Sequence, residues 1–399
     1  LFLASSTFAK TTTWLPTTGG LWTTAGNWDN GVPSGTTDIV IINSNQSAAI
    51  TAVPTITLAS LTISGNCNLA PTASGNTITV TGVFSVASGV TLSMGTNGTA
   101  RLNLTLGSAS VGSVDGTLNV YSTGTNGLLS NSGTLSIGSA GFIADGGGAN
   151  NTDFTLTATG TLKIASATGI STTAGVGNIR VTGTRTYNSG SEVVYNGSAA
   201  QVTGNAVPTT SDITIDNVNG VALTAAITTT GTLTMTNGQL DLANTNLSVG
   251  ALTGSTNISH ATGVAGARTI SVTGNTSPAA YSGVISNGTA TSVSLSKSGS
   301  GTLTLQGLNT YTGTTTINAG ILSITTLENV SGGASSLGAP TTVANGTIAL
   351  VSGSSVLKYT GAGHSSNRVI ATTTDGSTID ASGTGTLTLT GGVTSGGGN

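Results

Sequence analysis

Apolar and polar residues alternate in short runs along the chain. In the segments 55–58, 102–106 and 213–215, aliphatic side chains occupy every second position, and Thr or Asn occupies the others. Successive side chains of a strand point to opposite faces, so this period predicts strands with one buried face. Threonine favours the same assignment because its branched Cβ packs well on a pleated surface. No segment has the period of an amphipathic helix, and the chain is predicted to be all-β.

A strand-turn unit recurs at irregular intervals. The tripeptide Gly-Thr-Leu begins at positions 116, 133, 160, 231, 301 and 385. A constant unit with loops of variable length between its copies is typical of stacked coils, so we predict a parallel β-helix (β-solenoid). The frequent Asn-Gly pairs are assigned to turns, where both residue types tolerate positive φ. A string of β-sandwich domains is the alternative, and it should contain more proline linkers and more aromatic core residues.

The tryptophans are confined to the beginning of the chain. Trp14, Trp22 and Trp28 all lie within the segment 14–33, which we assign as an aromatic N-terminal cap because the end of a solenoid exposes unpaired strand edges. An aromatic platform for a ligand is the alternative.

Three regions are predicted along the chain. Residues 1–13 form an N-terminal segment, either a signal-peptide remnant or an assembly strand, because 1–9 are apolar and then small. Residues 14–205 form a first solenoid section. Residues 206–399 form a second section, continuous with the first.

Composition excludes several function classes. Charged residues make up 5% of the chain, and 9 basic residues with a net charge of −3 cannot form a stripe that binds nucleic acid. The longest apolar runs are too short for a membrane-spanning helix. Cys67 is the single cysteine, which excludes an internal disulfide and a cysteine-based zinc site. A mean hydropathy of +0.25 predicts a folded chain rather than a disordered one.

The segment 295–322 resembles the autotransporter-associated β-strand repeat. Seven residues fall in register with that pattern, namely Lys297, Gly299, Gly301, Asn309, Tyr311, Gly313 and Gly320. The resemblance implies a right-handed parallel β-helix of the passenger type on a bacterial surface, and many such passengers are adhesins. The front half, with Trp22-Thr-Thr-Ala-Gly-Asn-Trp28 and the following turn, resembles large secreted surface adhesins of the Bacteroidetes type.

Basic residues and histidines are too dispersed to indicate an enzyme. His260 and His364 lie about a hundred residues apart in neutral polar sequence, so each is interpreted as structural or solvent-exposed. Lys163, Arg180 and Arg185 form a modest basic group. A polysaccharide lyase would need such cations beside a base, but a solvated face is the favoured interpretation.

Acidic residues give no clear site either. Asp212 with Asp216, and Asp375 with Asp380, are the carboxylate pairs, and both are interpreted as turn residues. In an extended strand, residues 212 and 216 lie roughly 13 Å apart, farther than glycosidase carboxylates. The loop 145–153 has enough oxygen ligands for Ca²⁺ but lacks the acidic density of known calcium loops, so a projecting glycine-rich loop is favoured.

These observations predict a non-catalytic, secreted or cell-surface bacterial protein that serves as an adhesin, a stalk or a matrix filament. No catalytic, cofactor-binding or metal-binding residue is assigned, and neither nucleic acid nor a transmembrane segment is expected. Head-to-tail self-association and a glycan or host-surface ligand are the predicted partners. The alternative is a carbohydrate-binding or carbohydrate-active β-helix. It would require Tyr187, Tyr195 or Tyr281 beside carboxylates in a groove. Alternating threonines also suggest an ordered hydroxyl array, but the sequence does not hold one phase.

Overall fold

The structure is a computed structural model that describes residues 9–96, 100–121, 126–146 and 151–395. The predicted N-terminal segment 1–13 lies mostly outside these ranges, as do the middle of the loop 145–153 and the last four residues. The chain divides into two compact units, one ending at Gly197 and one beginning at Ser198.

The first unit is built from short strands and one 3₁₀ turn at Ala25–Asn27. Its strands are β1 (Thr11–Thr13), β2 (Gly20–Leu21), β3 (Ile39–Ile42), β4 (Ile50–Val53), β5 (Ile56–Ile63), β6 (Cys67–Pro71), β7 (Asn76–Val86), β8 (Thr91–Thr96), β9 (Ala100–Leu106), β10 (Val111–Val114), β11 (Thr117–Val120), β12 (Gly127–Asn131), β13 (Thr134–Ile137), β14 (Phe142–Asp145), β15 (Thr152–Leu156), β16 (Thr161–Ile164), β17 (Ile179–Arg180), β18 (Arg185–Tyr187) and β19 (Glu192–Tyr195).

These strands stack in three parallel ladders, so each coil has three sides. Ladder A contains β1, β3, the second half of β5 and of β7, β10, β13, β16 and β19. Ladder B contains β2, β4, β6, β8, β11, β14 and β17. Ladder C contains the first half of β5 and of β7, then β9, β12, β15 and β18. Strands β8 and β9 also pair antiparallel. The predicted parallel β-solenoid is confirmed, and the β-sandwich alternative is wrong.

Alternation along each strand builds the core. Alternate residues of each strand point inward, and their register partners in neighbouring strands stack directly on them, so that aliphatic columns run from coil to coil. The inward column of ladder A is fully buried at Val40, Leu61, Phe84, Leu135, Leu162 and Val193. The sequence period therefore translates directly into a continuous core.

The segment 14–33 covers strand β1 on the side opposite its partner β3. The N–H of Leu15 donates to the carbonyl of Asn27, and the N–H of Asp29 donates to that of Thr13. Thr13 in turn donates its N–H to Asp29 Oδ1 at 2.7 Å. This return stretch satisfies backbone groups that a terminal strand would otherwise leave unpaired.

The three tryptophans pack together beneath this return stretch. Trp28 meets Trp14 edge-on at a centroid distance of 5.0 Å and Trp22 at 4.8 Å. Its Nε1 donates to the carbonyl oxygen of Trp22 at 2.7 Å. All three side chains are at most 3% exposed, so their ring faces are closed to a ligand. The cap assignment is confirmed, and the platform alternative is wrong.

The second unit contains a single-turn α-helix, α1 (Val343–Gly346), and many strands. Its strands are β20 (Gln201–Val202), β21 (Asp212–Asp216), β22 (Val221–Ala222), β23 (Ile227–Thr228), β24 (Thr232–Asn237), β25 (Leu240–Asp241), β26 (Leu247–Val249), β27 (Ala251–Gly254), β28 (Ile258–Ser259), β29 (Ala267–Val272), β30 (Ile285–Ser286), β31 (Ser292–Lys297), β32 (Thr302–Leu305), β33 (Thr315–Ile317), β34 (Gly320–Ile324), β35 (Ile348–Leu350), β36 (Ser355–Tyr359), β37 (Ala362–Ser366), β38 (Ile370–Thr372), β39 (Thr378–Asp380), β40 (Gly385–Leu389) and β41 (Val393–Ser395).

The second unit is also a three-sided parallel solenoid. Ladder D joins β20, β22, β25, β28 and β30. Ladder E joins β23, β26, β29, β31, β33, β35, β38 and β41. The third side contains β21, β24 and β27, then single bridges through Tyr281, then β32, β34, β36 and β39. Strands β37 and β40 form a separate parallel pair.

Asparagine has a different role from the one that the sequence predicts. Among the described residues, the positive-φ positions other than glycine are Ala52, Ala243 and Ser331. In several Asn-Gly pairs only the glycine has positive φ, as at Gly288. The preceding Asn287 instead accepts backbone N–H groups through Oδ1, including that of Thr312 in the next coil at 3.1 Å. Asparagine side chains thus cross-link coils.

Candidate functional site

The repeat segment spans β31 to β34, and its lysine lies inside the solenoid. Lys297 is 1% exposed, and its register partners Val272 and Ile317 are core residues. Its Nζ donates to the carbonyl oxygens of Ser298 at 2.5 Å and Gly299 at 2.8 Å. Burial lowers the pKa of Lys297 to about 8. The lysine therefore holds the turn after β31, and it is closed to a ligand.

The asparagine and tyrosine of the repeat are also buried. Asn309 accepts the N–H of Ile285 through Oδ1 at 2.7 Å and donates Nδ2 to the carbonyl of Ser336 at 2.7 Å. It joins the preceding coil to the following one. Tyr311 Oη lies 2.8 Å from Thr315 Oγ1, and burial raises the pKa of Tyr311 to about 12.

Two glycines of the repeat stack at the corner of successive coils. Gly299 and Gly320 both have φ of +70°, a conformation that side chains disfavour. A Cβ at Gly320 would lie 2.3 Å from the carbonyl oxygen of Gly299. The conspicuous residues of the repeat are thus explained by architecture, and any ligand contact must come from other residues.

The two histidines have different environments. His260 is fully buried, with Nδ1 2.7 Å from Thr289 Oγ1 and Nε2 3.2 Å from the guanidinium of Arg268. Because Arg268 can only donate, Nε2 accepts and the proton lies on Nδ1. This arrangement fixes His260 as a structural group.

His364 lies beside a carboxylate that sequence reasoning did not connect to it. Its Nε2 is 3.1 Å from Glu328 Oε1, and its Nδ1 is 3.4 Å from the hydroxyl of Tyr359. Glu328 is 38% exposed and His364 is 24% exposed, so the pair lies at the surface. The two residues are 36 positions apart, and only the stacking of coils brings them together.

The basic group is divided by the fold. Lys163 lies in ladder A, Arg180 in ladder B and Arg185 in ladder C. Arg180 and Arg185 nevertheless line one cleft of 340 Å³ at a corner of the first unit, and Lys163 is not part of it.

The assignment of the paired aspartates to turns is right for Asp375 and wrong for the other three, because Asp212 and Asp216 are the two ends of β21 and Asp380 ends β39. Their carboxylates hold neighbouring strands together. Asp212 Oδ1 accepts the N–H of Thr232 at 2.7 Å, and Asp216 Oδ1 accepts Nδ2 of Asn237 at 2.6 Å. Asp380 forms an ion pair with Lys358 at 3.0 Å, and the hydrogen bond from that lysine lowers the pKa of Asp380.

The same holds around the candidate calcium loop. Asp145 accepts the N–H of Thr152 and Asp153 accepts that of Thr184. Within the described part of the chain, no three acidic, histidine or cysteine residues gather as metal ligands.

A single column of hydroxyls is held in register on ladder C. Its outward residues in register are Thr57, Thr79, Thr105, Ser130, Thr155 and Thr186. One hydroxyl per coil is therefore held in register, but the Thr-x-Thr pair that a flat hydroxyl face needs is not repeated, as the sequence predicts. The neighbouring column changes from Thr77 to Asn103, Leu128 and Asp153, so the hydroxyls form a single line rather than a sheet.

The tyrosines do not form a sugar-binding groove with carboxylates. Tyr195 and Tyr281 are fully buried, and Tyr187 packs on Phe154 at a centroid distance of 5.9 Å. A groove of 370 Å³ in the second unit is lined mainly by apolar residues, such as Val218 and Val221, and includes the carboxylate of Asp241. Asp241 Oδ1 accepts the backbone N–H groups of Ala243 and Ala261, and Oδ2 accepts Thr262 Oγ1, so this carboxylate serves the local turns.

Comparison with known proteins confirms the resemblance of the repeat. Residues 295–324 match the passenger-associated-transport-repeat model. The chain is 32% identical over 225 residues to the adhesin BmaC autotransporter of Brucella suis biovar 1 (strain 1330), an alignment that covers 51% of this chain and 6% of that protein. The chain thus spans a small fraction of that relative. No solved structure matches the chain.

These matches establish the chain as one that carries an autotransporter-associated passenger repeat, and they support the cell-surface, extracellular location that the sequence predicts. Among the described residues, the helices are too short or too polar to span a membrane.

Proposed function

Because this chain carries an autotransporter passenger repeat, we propose that it is a non-catalytic section of a bacterial surface adhesin. Each unit acts as a solenoid scaffold that presents its lateral faces and corner loops to a ligand. The observation that carries this proposal is the burial of the repeat residues, such as Lys297 and Asn309, which commits them to the architecture.

The outward faces support a role in contact rather than in chemistry. They carry hydroxyls and amides in register, as in the ladder C column that begins at Thr57, and few charges compete for them. Hydroxyls and amides on a rigid, laddered face suit weak, repeated hydrogen bonding to an extended polymer.

The proposal is tested by the retention of coated beads on surfaces. Beads coated with the purified chain are applied to epithelial monolayers and to immobilised polysaccharides, with albumin-coated beads as the control. We expect saturable retention that the free chain competes away. Retention no greater than that of albumin beads on every surface would remove the adhesin proposal.

A carbohydrate-active solenoid is the second candidate, and the contact between His364 and Glu328 is the observation that favours it. It predicts the release of reducing ends, or a rise in absorbance at the wavelength of unsaturated uronates, from a panel of polysaccharides. The variant His364→Ala should abolish that signal if the candidate is right. The adhesin proposal expects no signal from either form.

Self-association stays a prediction. Sedimentation velocity over a hundredfold range of concentration tests it, since a filament former gives a sedimentation coefficient that rises with concentration and a monomer does not.

A further inference from the structure

We propose that the cleft containing Arg180 and Arg185 binds the carboxylate of an acidic sugar in a polysaccharide. This inference rests on the proposed adhesin function and names the ligand class for one of its surfaces. The cleft has a volume of 340 Å³, and its lining includes Thr172, Val181 and Thr182 besides the two arginines. This volume is within the usual range for small-ligand sites, about 300–1,000 Å³.

Arg180 is held in place with its hydrogen-bonding fork available. Its guanidinium carbon lies 3.8 Å from the centroid of the Phe142 ring, which is a cation–π contact. Its Nε donates to the carbonyl oxygen of Gly177 at 2.9 Å. The two terminal nitrogens form no hydrogen bond to the described residues, and a guanidinium anchored in this way loses little freedom when it binds.

Arg185 supplies the second charge. Its Nε and Nη2 donate to the carbonyl oxygen of Val181 at 3.1 and 2.8 Å, and its Nη1 donates to that of Ser171 at 2.5 Å. Backbone carbonyls therefore position this side chain without neutralising it.

Neither arginine forms an ion pair with a described carboxylate, whereas Lys10 and Lys358 do. The carboxylate of Asp145 accepts two hydrogen bonds from the cleft residue Thr182, one from its N–H at 3.0 Å and one from its hydroxyl at 2.6 Å. These two hydrogen bonds partly compensate the negative charge of Asp145. Two positive charges therefore line the cleft, and the neighbouring carboxylates of Asp145 and Asp153 are engaged by Thr182 and Thr184 rather than by the arginines.

The neighbouring surface favours a polymer over a small free anion. Along ladder B, Arg180 shares an outward register column with Asn68, Ser93, Asn119 and Ala144. The nearest amide, Asn119, lies two coils from Arg180, beyond Ala144. From there, polar side chains follow at about 4.8 Å per coil and can bind successive sugar hydroxyls, while the planar fork of Arg180 pairs with a carboxylate in two parallel hydrogen bonds.

The test is calorimetric titration with hexagalacturonate, with maltohexaose as the neutral probe of equal length. Arg180→Gln removes the charge and the fork. Lys163→Gln is the matched control, because it removes one positive charge from the first unit outside the cleft. We expect Arg180→Gln to weaken hexagalacturonate binding by about tenfold or more, and Lys163→Gln to change it by less than about twofold.

Arg180→Lys keeps the positive charge but loses the planar fork, so it should weaken binding to an intermediate extent. It replaces Arg180→Gln in the test if circular dichroism shows that Arg180→Gln does not fold.

The inference is overturned by equal binding of hexagalacturonate to wild type and to a folded Arg180 variant, by absence of hexagalacturonate binding, or by equal affinity for maltohexaose. Binding of a heparin hexasaccharide without hexagalacturonate also overturns it, because sulfate would then be the ligand group. If the calorimetric test fails but coated beads are retained, only this inference is overturned and the proposed function stands. Failure in the bead assay removes the proposed function itself.

Discussion

The first coil of the first unit and the last described coil of the second unit present their ends differently. In the first coil, Trp14, Trp22 and Trp28 are at most 3% exposed, and a return stretch pairs with β1. In the last coil, every residue of β39, β40 and β41 is at least partly exposed, and Val393 is 54% exposed.

The difference shows that the laddered strand is common to both ends but burial is not. Strands β40 and β41 pair with β37 and β38 as regularly as β1 pairs with β3. Their inward side chains lack a covering layer among the described residues. Backbone pairing therefore forms a coil whether or not its inward face is covered, and the aromatic segment 14–33 adds apolar burial to the first coil.

The largest expected effect comes from removing the centre of the cap. Trp28→Ala should lower the free energy of unfolding of the first unit by about 3–5 kcal/mol, because it opens a cavity between the two other indoles. Denaturant unfolding measures this, followed by tryptophan fluorescence for the first unit, which holds all three tryptophans, and by circular dichroism for the second. Val393→Ala is the control in the last coil and should change stability by less than about 0.5 kcal/mol. Equal effects would contradict the comparison.

Lys297 should make stability depend on pH in the interior of the second unit. Its folded pKa of about 8 is below its usual 10.5, so the unfolded chain binds more protons between these values and stability rises with pH across this window. The gain is at most about 3 kcal/mol and is lost as the pH falls through 8. Denaturant unfolding of wild type and Lys297→Met at several pH values measures this. The difference between their free energies of unfolding should rise with pH across this window. Lys358→Met, at an exposed ion pair, should leave the slope unchanged.

Asn309 tests the links between interior coils. Asn309→Ala leaves the N–H of Ile285 and the carbonyl of Ser336 without partners, and should cost about 2 kcal/mol. Asn345→Ala, at a half-buried position whose side chain forms no hydrogen bond to the described residues, is the control and should be nearly neutral. If Asn309→Ala lowered the free energy of unfolding no more than Asn345→Ala does, the backbone ladders alone would account for the stability of these coils. Urea unfolding followed by circular dichroism measures both variants.

The smallest effect is expected at the ion pair between Lys358 and Asp380. The pair is 3.0 Å apart, but its side chains are 37% and 32% exposed. Lys358→Met should therefore lower the melting temperature by less than about 3 °C at neutral pH, and salt should reduce that cost. Thermal melts at 0.02 and 0.5 M NaCl measure it. A cost that is unchanged by salt would indicate a packing role for the lysine instead.

The candidate site was only partly predictable. The basic residues were visible in the sequence, but their division was not, since Lys163 and Arg180 lie on different sides of a coil. His364 and Glu328 meet across 36 residues, and loops of variable length hide which residues stack. Register between coils is a property of the folded chain, so a spacing along the sequence does not report it.

The sequence by itself determined the strands, the parallel solenoid and the tryptophan cap. Period-two alternation and recurring turn residues act locally, and a coil needs only its neighbours to bury its inward face. The tertiary structure decided which way individual polar residues point. Lysine side chains are rarely buried, but Lys297 lies in the core, because three carbonyl oxygens at a corner replace its water. Arg180 and Arg185 line one cleft only because two sides of the folded coil meet at a corner.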